Sequence, residues 1–252
     1  MKKTILALSL AAMTLPAMAQ KAAEPAVTIE GNLGLYSDYK FRGISQTQRN
    51  IALQGGFDLT HKSGLYVGTW ASNVSDWANF VDGDKAGNGL EIDVYGGYST
   101  ELPMGVGIDI GLLRYQYPGS ADGASGKKPH TTEWYLGFSY SFLSYKFSKT
   151  TGEWFSLENS KGSTYHSLDA EYPINDSISL TAHYGKQKVK GAGNPSYSDY
   201  SVGVSYALPS DFSLGLSYVG TSGLSSTEKE FFTNRDKKLY SGSAVVSISK
   251  TF

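Results

Sequence analysis

The sequence predicts an all-β protein, a transmembrane antiparallel up-and-down β-barrel of about twelve strands with N- and C-termini periplasmic. Three observations carry this expectation. An apolar/polar period of two residues recurs along the chain, the connections alternate between short and long, and the closing stretch SAVVSISKTF is itself a strand with one oily face. Composition agrees, with 18 Tyr, 11 Phe, 4 Trp and 29 Gly against 8 Pro in 252 residues. Aromatics at this level suit the interfacial girdles of an outer-membrane barrel.

The opening MKKTILALSLAAMTLPAMA has two lysines, an apolar run and a small-x-small site, and reads as a secretory signal cleaved after Ala19. Residues 20–252 are then expected to form a single outer-membrane domain. Without any cysteine the chain has no lipid-accepting Cys, disulfide or thiolate metal site. After Ala19 no apolar run approaches the roughly 18 residues of a membrane-spanning helix. A closed barrel is the other structure that satisfies every backbone group in lipid.

The pattern places strands at 27–43, 51–60, 65–74, 90–99, 106–117, 132–141, 143–150, 164–172, 178–186, 197–208, 212–220 and 239–252. In the first, Val27, Ile29, Leu33, Leu35, Tyr39 and Phe41 alternate with Glu30, Asp38, Lys40 and Arg42. LEIDVYGGYS and EWYLGFSYSF repeat the pattern. Short connections such as HKSG, PINDS and PSD alternate with longer ones, as periplasmic turns alternate with outer loops. An even strand count brings both ends to the periplasmic side. Phe252 becomes the rim aromatic of the closing strand, which is expected to pair near Val27. A terminal aromatic there resembles the signal by which the outer-membrane barrel assembly machinery recognises its clients.

With the apolar face against lipid, the other face lines a pore. Its acids are Glu30, Asp38, Asp58, Glu91, Asp93, Asp109, Glu133, Asp169, Glu171 and Asp199, and its bases are Lys40, Arg42 and Lys146. Ten against three leaves the wall near −7 in a chain of net charge −1, and a one-signed wall concentrates counter-ions. The opposing reading ties some of these acids to Lys40 and Arg42 in a closed interior. Inward glycines, among them Gly97, Gly111 and Gly185, are expected to leave open space, while Tyr95 and Tyr135 would narrow it. Eight-stranded barrels are filled and 16-stranded ones open, so twelve strands suit a narrow pore. Bases such as Lys85, Lys127, Lys128, Lys161 and Arg235 fall in or beside the outer segments, where lipopolysaccharide phosphates are possible partners.

An enzyme is disfavoured. Of four histidines only His183 is a strand residue on the lumen face, with Thr181 two residues away, and no serine-containing block around them resembles that of the outer-membrane phospholipase, a barrel of similar size with a Ser-His-Asn arrangement. His183 is expected to act as a lumen hydrogen-bonding residue. Glu91 and Asp93 share a face, a spacing that suits a glycosidase pair or a divalent cation but also follows from an acidic lining by default. The calcium-loop-like DGDKAGNG at 82–89 lacks the Glu at its twelfth position. No motif implies a cofactor, and scattered bases give no case for nucleic acid.

SDYKFRGISQTQRNIALQGGFDLTHKSGLYVGTWASNVS at 37–75 resembles the opening block of the TorF-like porins, also described as the Gcw_chp family of unknown function. LEIDVYGGYS resembles that family's next strand and YQYPG at 115–119 a later element. The resemblance implies a bacterial outer-membrane barrel and little about its permeant. Arg114 sits on the lipid parity, which a bulge before it would reverse. The functional expectation is a porin-like channel for passive diffusion of small hydrophilic solutes or ions, weakly cation-preferring. The alternative is a non-conducting structural barrel, or a surface receptor acting through its outer loops.

Overall fold

In the computed structural model, which describes residues 25–75, 89–120, 128–191, 193–234 and 236–252, twelve strands join into a closed antiparallel barrel. They are β1 Val27–Tyr36, β2 Ala52–His61, β3 Leu65–Asn73, β4 Leu90–Leu102, β5 Val106–Gln116 and β6 Thr131–Tyr140. The second half comprises β7 Leu143–Thr150, β8 Thr164–Pro173, β9 Ile178–Lys188, β10 Ser196–Ala207, β11 Phe212–Ser222 and β12 Ser243–Thr251. Each strand pairs with its chain neighbours, and β12 closes on β1. The expected signal cleavage site at Ala19, together with Lys85, Lys127, Arg235 and nearly all of DGDKAGNG, lies outside the described residues.

Alternation fixes which side chains face out. Phe57, Leu112 and Val246 are 56%, 55% and 56% exposed, whereas Glu91, Asp109 and Glu133 are 0%, 2% and 2% exposed. An apolar exterior around a polar interior inverts a soluble protein and is what a hydrocarbon solvent demands. The closing strand meets β1 further along than expected. Asn32 pairs with Thr251, and Phe252 exchanges backbone hydrogen bonds with Gly31 at 2.7 and 2.9 Å rather than reaching Val27. The Phe252 ring packs edge-on against Phe57, 6.4 Å between centroids.

The first strand ends early. β1 stops at Tyr36, which pairs with Ala52, and residues 38–48 form an unbroken buried run inside the barrel mouth. Asp38, Lys40 and Arg42 therefore project from an inward-folded segment, not from the wall strand expected at 27–43. Tyr39 and Phe41, expected to face lipid, are 2% and 6% exposed within the interior.

Arg114 keeps the expected parity. It pairs with Val94 on one side and Thr132 on the other in unbroken registers, and faces out. No bulge turns it inward.

Candidate functional site

The interior segment is a small β-hairpin. Lys40–Phe41 pairs with Ile44–Ser45, with Arg42 and Gly43 as the two turn residues. Both have positive φ, 46° and 79°, as a tight hairpin turn with the twist of its strands requires. Glycine is needed at 43 for a second reason. A β-carbon there would strike the side chains of Thr221 and Asp199 and the carbonyl of Gly220, so the turn lies directly on the β10–β11 wall.

From this turn Arg42 reaches across the lumen. Its guanidinium donates to Glu133 Oε2 on β6 at 2.6 Å and to Gln187 Oε1 on β9 at 2.5 Å, and lies 4.1 Å over the Tyr165 ring on β8. Arg42 is 3% exposed and its fork joins strands on either side of β7 and β8. Asp38 holds the hairpin's own base, accepting from Ser45 Oγ at 2.6 Å and Thr47 Oγ1 at 3.0 Å beside Lys40 Nζ at 3.4 Å. Tyr39 and Tyr117 both donate to Glu91, each at 3.0 Å.

Two loops clamp the hairpin. On one side Tyr39 and Phe41 pack with Tyr115, Tyr117, Trp154, Phe155 and Leu157, and Phe155 meets the rings of Phe41 and Trp154 edge-on at 5.7 and 5.0 Å. On the other, Ile44 packs with Tyr197, Leu224, Phe232 and Leu239. Phe232 belongs to the loop carrying α1 Ser226–Phe231, whose capping box is Ser225 with Glu228. Burial raises the Glu228 carboxyl, but N–H donation from Ser196 and Ser225 outweighs it and holds the group below its ordinary value.

The interior thus has two layers. At the loop end, Glu91, Asp93, Glu133 and Asp199 lie under the hairpin with Arg42 among them. At the turn end, Glu30, Asp58, Asp109, Asp169 and Glu171 share the interior face with one base, Lys146. Tyrosines bridge several of these acids. Tyr95 donates to Asp58 at 2.6 Å and Tyr66 to Asp109 at 2.6 Å, with the Tyr66 and Tyr135 hydroxyls in contact. His183 joins the layers, its ring nitrogens 2.6 Å from Asp169 and 2.8 Å from Asp199, with the Tyr165 hydroxyl 3.0 Å away. Among the described residues Thr181 is not one of its hydrogen-bond partners; the hydroxyl that reaches the ring is that of Tyr165.

The inward glycines do not leave open space. Side chains at 97, 111 and 185 would run into the hydroxyl ends of Tyr66, Tyr135 and Tyr165, so these glycines seat tyrosines folded across the wall. Glu91 and Asp93 share a face but both are buried, Glu91 under the hydroxyls of Tyr39 and Tyr117, and form no open carboxylate pair. Among the described residues, no group of three or more His, Cys, Asp or Glu is placed to hold a metal ion.

Sequence reasoning missed the partners of the hairpin: Tyr117, Tyr165, Gln187 and the Trp154–Phe155 wedge. Three large apolar residues within GEWFSLENS, too short for a strand between Gly and Asn, are the signal that was available.

A closed up-and-down barrel with an apolar exterior, a polar interior and a hairpin folded into one mouth belongs to the porin-like class of fold. The chain belongs to the Gcw_chp family, described as bacterial proteins of unknown function, whose sequence pattern matches residues 19–252. The family's description carries no TorF or porin designation.

Among solved structures the chain is similar to the KdgM porin, with 9% identity and a TM-score of 0.53 over 89% of this chain and 98% of that one. It is also similar to the KdgM porin in complex with disordered oligogalacturonate, at 9% identity, TM-score 0.52 and coverage of 89% and 98%. An outer membrane channel from Pseudomonas putida F1 gives 11% identity and a TM-score of 0.52 over 91% of this chain and 97% of that one. At these identities the likeness is one of fold. No curated protein matches the sequence.

Proposed function

We propose that the protein is a porin-like channel of the bacterial outer membrane, with both termini periplasmic, passing small hydrophilic solutes or ions. The hairpin at 38–48 closes its outer mouth. The observation that carries this reading is the contrast between the two layers of the interior. The turn-end layer is a partly exposed vestibule of polar residues, while the loop-end layer is sealed by one hairpin with its own anchors.

The vestibule carries four accessible acids, Glu30, Asp58, Asp169 and Glu171, with Asp109 sealed against Tyr66, against one base, Lys146, so cations concentrate in it and anions are repelled. Oligogalacturonate, which the KdgM structure holds, is an anionic saccharide and would meet like charge here. Uncharged or cationic solutes fit this wall better. The similarity of fold to a porin and a channel supports transport over catalysis.

The test is single-channel current from refolded protein in a planar bilayer under a potassium chloride gradient. Infrequent steps that reverse toward the potassium potential are expected. Reversal toward the chloride potential would refute the charge argument. The packed loop end favours a second reading, a non-conducting barrel or surface receptor. That reading predicts no current from a folded, heat-modifiable barrel even after the hairpin is removed.

A further inference from the structure

A second polar site lies on the outer rim. A cavity of about 360 Å³ at the loop end of β5 and β6 is lined by Arg114, Lys128, His130, Glu153, Ser156 and Lys161 together with small residues. Among the described residues three bases and one acid line it, and the Lys128 ammonium also donates to the Ser120 carbonyl. Arg114 donates to Thr132 Oγ1 at 2.9 Å, one bond from a fork of five N–H groups. The His130 imidazole is held below its ordinary pKa by burial and by the neighbouring charges of Arg114 and Lys128. Its Nδ1 accepts from the Tyr117 N–H at 3.1 Å, which leaves Nε2 as the donor nitrogen.

Ser156 is the independent observation. It is 2% exposed, lines this cavity, and its hydroxyl has no hydrogen-bond partner among the described residues. An orphaned buried hydroxyl normally costs free energy and calls for a ligand or a solvent partner. Phe155 and Ser156 both hold positive φ, 44° and 59°, a strained pair fixed by the burial of Phe155. Ser156 lines the same cavity as the bases.

The surroundings identify the occupant. Arg114 lies on the outer face, and the next outward residues along β5 are Leu112 and Ile110, 55% and 51% exposed. Leu112 pairs with Trp134, whose ring meets Phe147 at 5.3 Å. Two residues along a strand span about 7 Å. A basic cavity therefore stands one short step above an aromatic and aliphatic belt. This is the arrangement an amphiphile needs, with its anion in the cavity and its chains on the belt.

We propose that this cavity binds the phosphate headgroup of a lipid in the surrounding bilayer, through Arg114, Lys128, Lys161 and the Ser156 hydroxyl. The inference rests on the reading of the chain as membrane-spanning, and not on whether it conducts.

The experiment is native mass spectrometry of the folded barrel in neutral detergent. The probes are lipid A with its phosphates, the same glycolipid without them, and inorganic phosphate as competitor. Selective retention of the phosphorylated lipid is expected. It should fall about tenfold for each base removed in Arg114→Gln and Lys161→Gln. Ser156→Ala, which leaves the charges in place, should fall less. Each variant is first checked for heat-modifiable migration. Equal retention of both lipids, or unchanged retention in the folded Arg114→Gln, Lys161→Gln double variant, would overturn the proposal. Displacement of the lipid by an equal concentration of inorganic phosphate would assign the cavity to free phosphate instead. A barrel that conducts but retains no lipid sinks this inference alone.

Discussion

Replacing Arg42 by Ala should release the hairpin. The residue makes a 2.6 Å ion pair with Glu133 in which both side chains are nearly sealed, at 1% and 3% exposure, and a second bond to Gln187 at 2.5 Å. Breaking a buried pair by removing one partner costs about 3–5 kcal/mol, because the remaining charge is left uncompensated. The guanidinium over Tyr165 adds about 1–2 kcal/mol of desolvated cation–π attraction. Energies in one network do not add, so the lower figure of about 3 kcal/mol is the safer basis, and it corresponds to more than a hundredfold in an equilibrium constant.

If the seated hairpin closes the pore, the open fraction should rise by about that factor. Arg42→Lys, which keeps charge but loses the fork, should lie between the two. The assay is the open probability of single channels in a planar bilayer, with heat-modifiable migration as the check on folding. A folded Arg42→Ala barrel whose open probability stays within about twofold of the parent would refute this reasoning, because a factor of two is well under 1 kcal/mol.

Three further outcomes follow from the same geometry. Neutralising the turn-end acids with Asp58→Asn and Glu171→Gln should move the reversal potential toward zero, and an unchanged potential would show that the vestibule does not set selectivity. Phe155→Ala removes a ring 1% exposed that packs on Phe41 and Trp154. It should cost about 3–5 kcal/mol of local stability, read as faster amide exchange in residues 38–48. Phe252→Ser removes the ring against Phe57 and should slow assembly in the bilayer while leaving the strand ladder at Gly31 intact, measured as the rate at which heat-modifiable protein appears.

Much of the barrel was legible because a sheet with one face in lipid leaves a strict period of two. Phe57, Leu112 and Val246 could only be outward, and the acids opposite them inward. The hairpin was not legible by the same rule. A hairpin alternates as a strand does, so Tyr39 and Phe41 continue the phase of Leu33 and Leu35 although the chain has left the wall after Tyr36. Gly43 was the local clue, since the turn found here has positive φ at both central positions, which glycine adopts without strain.

Interior glycines were read as space because sequence does not show the cross-strand partner. The register places Gly111 opposite Tyr135, whose ring then folds over it. The wall acids were placed by parity alone, but the hydroxyls that bridge Glu91, Asp58 and Asp109 come from distant strands or loops. Only the closed topology brings them together.

The most direct measurement removes the hairpin itself. Tyr36 pairs with Ala52, so deleting residues 38–48 leaves Ser37, Arg49, Asn50 and Ile51 as an ordinary four-residue connection between β1 and β2. Recorded beside the intact protein in the same planar bilayer, the shortened barrel should give sustained, cation-preferring steps where the parent is mostly closed. A correctly folded shortened barrel that passes no more current than the parent would contradict the claim that this hairpin closes a channel.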